Sequence, residues 1–258
     1  FSVYKSLSPY QSAKLDVRGS VDLFDNTDNI LNLSDSRLDS TFYWDLGFDY
    51  KPSLLQKCQQ LGSYKSVGLL DFNSSSIVSD FNSSFSSFPS GVNFIYCNSL
   101  YWASNPLKVI SQCFQNLLPG GKLFLTIVTP NFYNNMTYIK DYSLRPSFSS
   151  FLDKGRHKNY VSVLPSEDWQ SMFLQAGFSI LNYIPYYSEY ITFAQEELDN
   201  REHYPYVSML YNNVPHDHRL QIKKAYLEHL KSMLLSFLSD YTLPSSNSSC
   251  YDLYILQK

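Results

Sequence analysis

Three aspartates, Asp22, Asp49 and Asp71, lie in or at the end of short apolar segments. A carboxylate at the carboxyl end of a buried strand can accept hydrogen bonds from a ligand held above the sheet. The same position also suits a local task, because strand-end aspartates cap the next helix or satisfy loop amides. Both readings stand, and the recurrence of aspartate at all three expected strand ends sets them level. The first of these segments, Val21 to Phe24, runs into a turn with Phe24, Asn26 and Asp28. In a doubly wound fold that turn ordinarily carries glycines, so that its backbone can approach the ligand.

Side chains for proton transfer or substrate contact are few. Tyr101 and Trp102 follow another apolar segment and either pack against the sheet or stack on a substrate. His157 lies among Arg145, Lys154, Arg156 and Lys158, a basic loop that either is solvated or holds an anionic acceptor. Tyr101 and His157 are therefore the candidate catalytic residues. Tyr204, Tyr206 and Tyr211, beside His203, His216 and His218, are suited to shaping an acceptor pocket, but a His-x-His pair without a further ligand does not make a metal site. No metal is expected.

The elements that must position these residues alternate between strand and helix. Ser8 as N-cap and Pro9 at the first helical position predict a short helix ending at Gly19, before the first strand at Val21 to Phe24. Asn29 to Leu33 reads as a short helix. Thr41 to Asp49 reads as the second strand and Lys51 to Cys58 as the helix after it, with Pro52 near its start. Ser66 to Asp71 is a third strand, and Ile77, Val78, Phe81, Phe85 and Phe88 recur at helical spacing. Val92 to Cys97 is a fourth strand. Asn105 to Leu118 is a helix with Leu107, Ile110, Cys113, Phe114 and Leu117 on one face, closed at Pro119-Gly120-Gly121 by a left-handed glycine. Lys122 to Val128 is a fifth strand, apolar enough to be buried on both faces.

Beyond it, Thr129 to Ser166 reads as a polar, aromatic, lid-like loop. Asp168 to Ala176 is an amphipathic helix, Ser179 to Ile184 a sixth strand, and His216 to Tyr241 a helical stretch with a broad apolar stripe. Tyr251 to Leu256 is a last strand, expected antiparallel at a sheet edge. The fold expected is α/β: a Rossmann-like doubly wound, mostly parallel seven-stranded sheet with an antiparallel edge strand. One domain spans 1–258, with the lid-like loop at 129–166 and a helical insertion at 190–248 before the last strand.

Composition bounds the function. The formal net charge of -3 over 258 residues provides no bulk attraction for nucleic acid. Cys58, Cys97, Cys113 and Cys250 are widely spaced, which excludes a CxxC zinc or redox pair and predicts buried thiols for the first three. No apolar run reaches bilayer-spanning length and no signal-peptide pattern opens the chain, so a soluble, reducing, cytoplasmic compartment is expected. Residue 1 is Phe, and an upstream segment is expected to have been removed or left out.

The order of these elements resembles the class I S-adenosylmethionine-dependent methyltransferase family, from about Leu7 to Gln257. Gly47-Phe48-Asp49-Tyr50-Lys51-Pro52-Ser53-Leu54-Leu55 looks like its second strand and following helix. Leu117-Leu118-Pro119-Gly120-Gly121-Lys122-Leu123 looks like the turn before its fifth strand. Leu100-Tyr101-Trp102 with Asn105-Pro106 looks like the segment after its fourth, and Gln175-Ala176-Gly177-Phe178 like the helix end before its sixth. The resemblance implies S-adenosylmethionine as cofactor. Asp49 matches the acidic residue that binds the ribose hydroxyls, Asp71 the one near the adenine amino group, and Asp22 the one that opens the first motif. Phe24, Asn26 and Asp28 then stand where that motif has glycines; their side chains fill space meant for the methionine portion, and Asp28 adds a negative charge there.

Two functions follow. The first is methyl transfer to a small-molecule acceptor, with Tyr101 and Trp102 in the acceptor pocket and catalysis arising mainly from proximity. The alternative is a methyltransferase-like pseudoenzyme that has lost cofactor binding and serves a protein partner as a structural or regulatory subunit. Another Rossmann-like nucleotide binder fits less well, because no glycine-rich phosphate loop is present.

Overall fold

The computed structural model describes residues 14–17, 44–60, 64–135, 160–193 and 248–258, with scattered positions between 213 and 245. A central strand, β1 (Lys14–Val17), pairs in parallel with β2 (Trp44–Asp49) through Leu15 and Leu46. On its other side it pairs in parallel with β4 (Val92–Cys97) through Leu15 and Ile95. The helix expected up to Gly19 is corrected here. Leu15 and Val17 alternate with Lys14 and Asp16, a period of two that suits a strand, and pairing on both sides outweighs the local Ser-Pro capping signal. The place between β2 and β4 is thus taken by Lys14–Val17, not by Val21 to Phe24, which lies outside the described residues. Asn29 to Leu33 does so too.

Outward from β1, β2 pairs in parallel with β3 (Tyr64–Leu69), and the helix α1 (Pro52–Gln60) joins them. The short α2 (Ile77–Ser84) carries the chain across to β4, burying Ile77 and Phe81. A single 3₁₀ turn, Leu100–Trp102, follows β4 and leads to α3 (Pro106–Asn116). α3 starts where its sequence predicts: the Asn105 side chain accepts from Lys108 N–H at 3.1 Å, and Pro106 needs no partner for a missing donor. Val109, Ile110 and Cys113 form its buried face.

The end of α3 differs from expectation. Leu117 is already extended, with φ -84° and ψ 145°, and opens β5 (Leu117–Val128). Pro119-Gly120-Gly121 therefore lies within the strand span, where a register irregularity between Val92 and Phe94 accommodates it. Gly120 keeps a left-handed φ of 77°, which serves a kink in the strand rather than a helix cap. From Leu123 to Val128 every residue is buried, as expected of a strand covered on both faces.

A short helix, α4 (Pro130–Asn135), opens what was expected to be a loop from Thr129 to Ser166. Residues 136–159, with Arg145, Lys154, Arg156, His157 and Lys158, lie outside the described residues. α5 (Ser166–Gln175) buries Trp169 and Phe173. Its C-terminus is a Schellman closure: Gly177 at φ 101°, with its N–H on Leu174 C=O and Phe178 N–H on Phe173 C=O, each at 3.0 Å. β6 (Ser179–Ser188) and the short α6 (Glu189–Phe193) follow. The rest of the insertion expected at 190–248 is largely outside the described residues.

The last strand, β7 (Ser249–Gln257), is antiparallel, but it is not at the edge. It runs between β5 and β6, and the order is β3-β2-β1-β4-β5-β7-β6. Residues 249–252 are all buried and Tyr254 and Leu256 are 0% exposed; such a strand would leave a row of unpaired backbone groups if it were at an edge. β6 takes the edge instead. It carries Pro185 and register irregularities on both sides of it, which an edge strand tolerates. Cys97, Cys113 and Cys250 are buried thiols. Cys113 is pushed upward by burial, then by Cys97 beside it, so both sulfurs serve as packing atoms.

Candidate functional site at the strand ends

The chain leaves β1 on one side for β2 and β3, then crosses to the other side for β4. The crevice between the carboxyl ends of β1 and β4 is the switch point at which open α/β sheets bind ligands. Asp49 closes β2 beside it and is only 6% exposed. One oxygen of its carboxylate accepts the Lys51 N–H at 2.8 Å, which shapes the turn into α1. Its backbone C=O accepts Leu70 N–H at 3.0 Å, tying the ends of β2 and β3 together.

Asp71 follows β3 and is exposed. Its carboxylate accepts Asn73 N–H at 2.8 Å, an Asx turn that holds the chain over the strand ends. Asn73 reaches across the rim: its Nδ2 donates to Trp102 C=O at 3.0 Å, and its Oδ1 accepts Ser104 N–H at 2.7 Å. Asp49 and Asp71 thus lie on one rim with Trp102 and with Asn73, which was not anticipated. The signal for Asn73 was the Asp-x-Asn spacing that forms an Asx turn.

Tyr50, 41% exposed, meets Trp102 edge-on with ring centroids 6.4 Å apart. Lys51 Nζ sits 5.3 Å from the Tyr50 ring. The indole Nε1 of Trp102 is buried with no hydrogen-bond partner among the described residues. Tyr101 points the other way, into a second, smaller core with Val128, Phe132, Tyr160, Cys250 and Tyr251. Its ring lies edge-on to Tyr160 at 4.8 Å and to Tyr251 at 6.5 Å. At 7% exposure it is a packing residue of that core; the expectation of a pocket wall or proton donor at Tyr101 meets a buried ring. Tyr133 donates to Tyr160 C=O at 3.1 Å, and burial, then Tyr160, drives its phenol above the ordinary tyrosine range. Burial, then Tyr96, does the same to Tyr187. These phenols are held neutral.

A buried polar node lies at the start of β7. Asp252 is 0% exposed and accepts from Ser249 Oγ, from Ser166 Oγ at 3.1 Å and from Tyr183 Oη at 3.1 Å. Ser249 C=O receives the Thr129 hydroxyl at 2.5 Å and Asn131 Nδ2 at 3.1 Å. β7 is thereby joined to α5, β6 and the start of α4. Asp252 was legible only as a lone charge in an apolar strand.

Asp22, Phe24, Asn26 and Asp28 lie outside the described residues, as do His157, His203 and His216. With β1 ending at Val17, the residues that next follow it are Arg18, Gly19 and Ser20. Among the described residues there is no group of three or more His, Cys, Asp or Glu placed to hold a metal ion. No helix among them is long and apolar enough to cross a membrane.

The strand order and the switch point define a doubly wound, Rossmann-like α/β fold. No protein-family model matches the chain, and no curated protein matches it either. Solved structures do. A S-adenosylmethionine-dependent methyltransferase from Mesorhizobium loti is similar at 12% identity, covering 100% of this chain and 96% of that one, with a TM-score of 0.48. A possible histamine N-methyltransferase from Thermotoga maritima is similar at 10% identity, over 100% and 86%, with a TM-score of 0.48. Phosphoethanolamine N-methyltransferase 2 from Haemonchus contortus, in complex with S-adenosyl-L-methionine, is similar at 12% identity, over 100% and 51%, with a TM-score of 0.49.

Proposed function

We propose that this protein is a class I methyltransferase that binds S-adenosylmethionine at the β1/β4 switch point and acts on a small-molecule acceptor. The observation that carries this reading is Asp49, a nearly buried carboxylate at the end of the strand next to the switch point. A buried carboxylate is costly unless its hydrogen-bonding capacity is used. The carboxylate, which accepts the Lys51 N–H, is acceptor-only when ionised, the chemistry that suits a ligand presenting two vicinal hydroxyls. Asp71 offers a second acceptor one strand further on, and the Tyr50–Trp102 pair offers an aromatic wall. Two of the motifs that resemble the methyltransferase family fall on the matching elements, residues 47–55 on β2 and α1 and 175–178 on the end of α5, while 117–123 lies within β5.

When bound, S-adenosylmethionine supplies an electrophilic methyl group on a sulfonium centre. The chain's own part is positioning. Asp49 and Asp71 fix the nucleoside end, and α4 and the aromatic core cover the strand ends. No general base is required of the described residues if the acceptor arrives as a free nucleophile, and proximity then contributes most of the rate.

One observation favours the other reading, a non-catalytic subunit that engages a protein partner. Tyr101 is packed into the second core instead of facing an acceptor. Calorimetric titration with S-adenosylmethionine and S-adenosylhomocysteine separates the two. The proposal expects saturable binding, weakened at least tenfold by Asp49→Ala, an effect of about 1.4 kcal/mol; folded protein that takes up neither compound contradicts it.

A further inference from the structure

The backbone from Tyr101 to Ser104 is held from two sides by single residues. On one side Asn73 uses both halves of its amide, donating to Trp102 C=O at 3.0 Å and accepting Ser104 N–H at 2.7 Å. On the other side Ser162 donates its N–H to Tyr101 C=O at 3.0 Å and its Oγ to Ala103 C=O at 2.6 Å. The intervening N–H groups close the 3₁₀ turn, Trp102 onto Ser99 at 3.0 Å and Ala103 onto Leu100 at 2.9 Å. Every carbonyl from Tyr101 to Ala103 and every N–H from Trp102 to Ser104 therefore has a partner. These bonds span 29 and 31 residues for Asn73 and 59 for the Ser162 hydroxyl.

We infer that Asn73 is the positioning residue of the nucleoside site, setting Trp102 against Asp71 by clamping the 101–104 backbone. This rests on the proposed function. Asn73 is solvent-exposed, and the net contribution of a hydrogen bond to global stability is modest. Its clamp is instead suited to fixing a register: its own N–H is tethered to the Asp71 carboxylate at 2.8 Å, so Asp71 and the carbonyl of Trp102 share one rigid bridge. A ligand that engages Asp71 meets Trp102 at a distance fixed by this amide. Ser162 completes the frame from the segment that follows residues 136–159, and the Trp102 ring is left stacked near Tyr160 at 6.4 Å and 29°.

The test uses the whole 258-residue chain, Asn73→Ala and Asn73→Asp, S-adenosylhomocysteine as the probe, and amide hydrogen exchange at Ser104. Asn73→Ala is expected to speed Ser104 exchange, to lower the melting temperature only modestly, and to weaken binding by roughly tenfold, the equivalent of about 1.4 kcal/mol. Asn73→Asp keeps an acceptor for Ser104 N–H but sets a carboxylate against Trp102 C=O. It is expected to retain Ser104 protection and still bind weakly. Unchanged Ser104 exchange in Asn73→Ala overturns the clamp, and unchanged affinity alongside faster exchange overturns its role at the site. A wild-type protein that binds no probe overturns the functional reading and with it the affinity role; the exchange result then decides the clamp alone.

Discussion

Tyr183 Oη donates to Asp252 Oδ2 at 3.1 Å, joining the edge strand β6 to its inner neighbour β7 through a carboxylate that is 0% exposed. Burial raises the Asp252 carboxyl above its ordinary value, opposed by the hydrogen bonds of Ser249, Ser166 and Tyr183. Burial, then the Asp252 charge, pushes the Tyr183 phenol up to about 12. A carboxyl raised in the folded state contributes stability that is complete below the unfolded value, about 3.9, and is lost as pH rises through the folded value. Asp252→Asn removes that loss. In urea denaturation from pH 4 to pH 7 the stability difference between variant and wild type should move steadily in favour of the variant. A difference that moves the opposite way means that the three hydroxyl donors outweigh burial.

Tyr183→Phe deletes one donor to the same carboxylate. Hydrogen bonds to charged groups contribute about 1.5–3 kcal/mol, and the partly buried position of this one places the loss near the lower figure. Chemical denaturation at neutral pH should show it. The variant should also raise the Asp252 carboxyl further, which makes the fall in stability with pH extend to higher pH than in the wild type.

Much of the sheet was legible because its apolar runs are local. Val92 to Cys97 is a strand as expected, and Asp49 ends β2 where the Gly47 to Leu55 pattern puts it. The first strand was missed because it is only four residues, half of them charged, beside a strong helix-start signal at Ser8 and Pro9. Its conformation comes from pairing with β2 and β4, whose paired residues lie 31 or more positions away. Strand order is equally non-local, so β7 was placed at an edge; Pro185, which disqualifies β6 from an interior position, was the available sign. Asn73 and Asp252 went unnoticed for a related reason. Their partners, Trp102, Ser104, Ser166 and Tyr183, become neighbours only when the helices have crossed the sheet.

Gly177 tests the packing of α5. Its φ is 101°, and a Cβ there would lie 2.9 Å from the Phe114 ring, which itself meets Phe178 edge-on at 5.0 Å. Gly177→Ala combines left-handed strain of about 1–2 kcal/mol with overpacking of about 1–3 kcal/mol. A drop of several degrees in melting temperature is expected, and Phe114→Leu in the same chain should recover part of it by making room.

Phe132 tests the second core. It is 0% exposed and touches Tyr160 at 5.3 Å and Tyr251 at 5.7 Å between ring centroids. Phe132→Ala should cost about 3–5 kcal/mol by the behaviour of buried phenylalanines, measured by thermal or urea unfolding. A cost under 1 kcal/mol would mean that this core is not packed as described.

The most direct test of the central claim is a crystal structure of the protein with S-adenosylhomocysteine. The two ribose hydroxyls should lie within hydrogen-bonding distance of the Asp49 carboxylate, at the β1/β4 switch point, with the adenine between Asp71 and the Tyr50–Trp102 pair. A nucleoside bound elsewhere, or crystals grown in saturating ligand with nothing at Asp49, would contradict it.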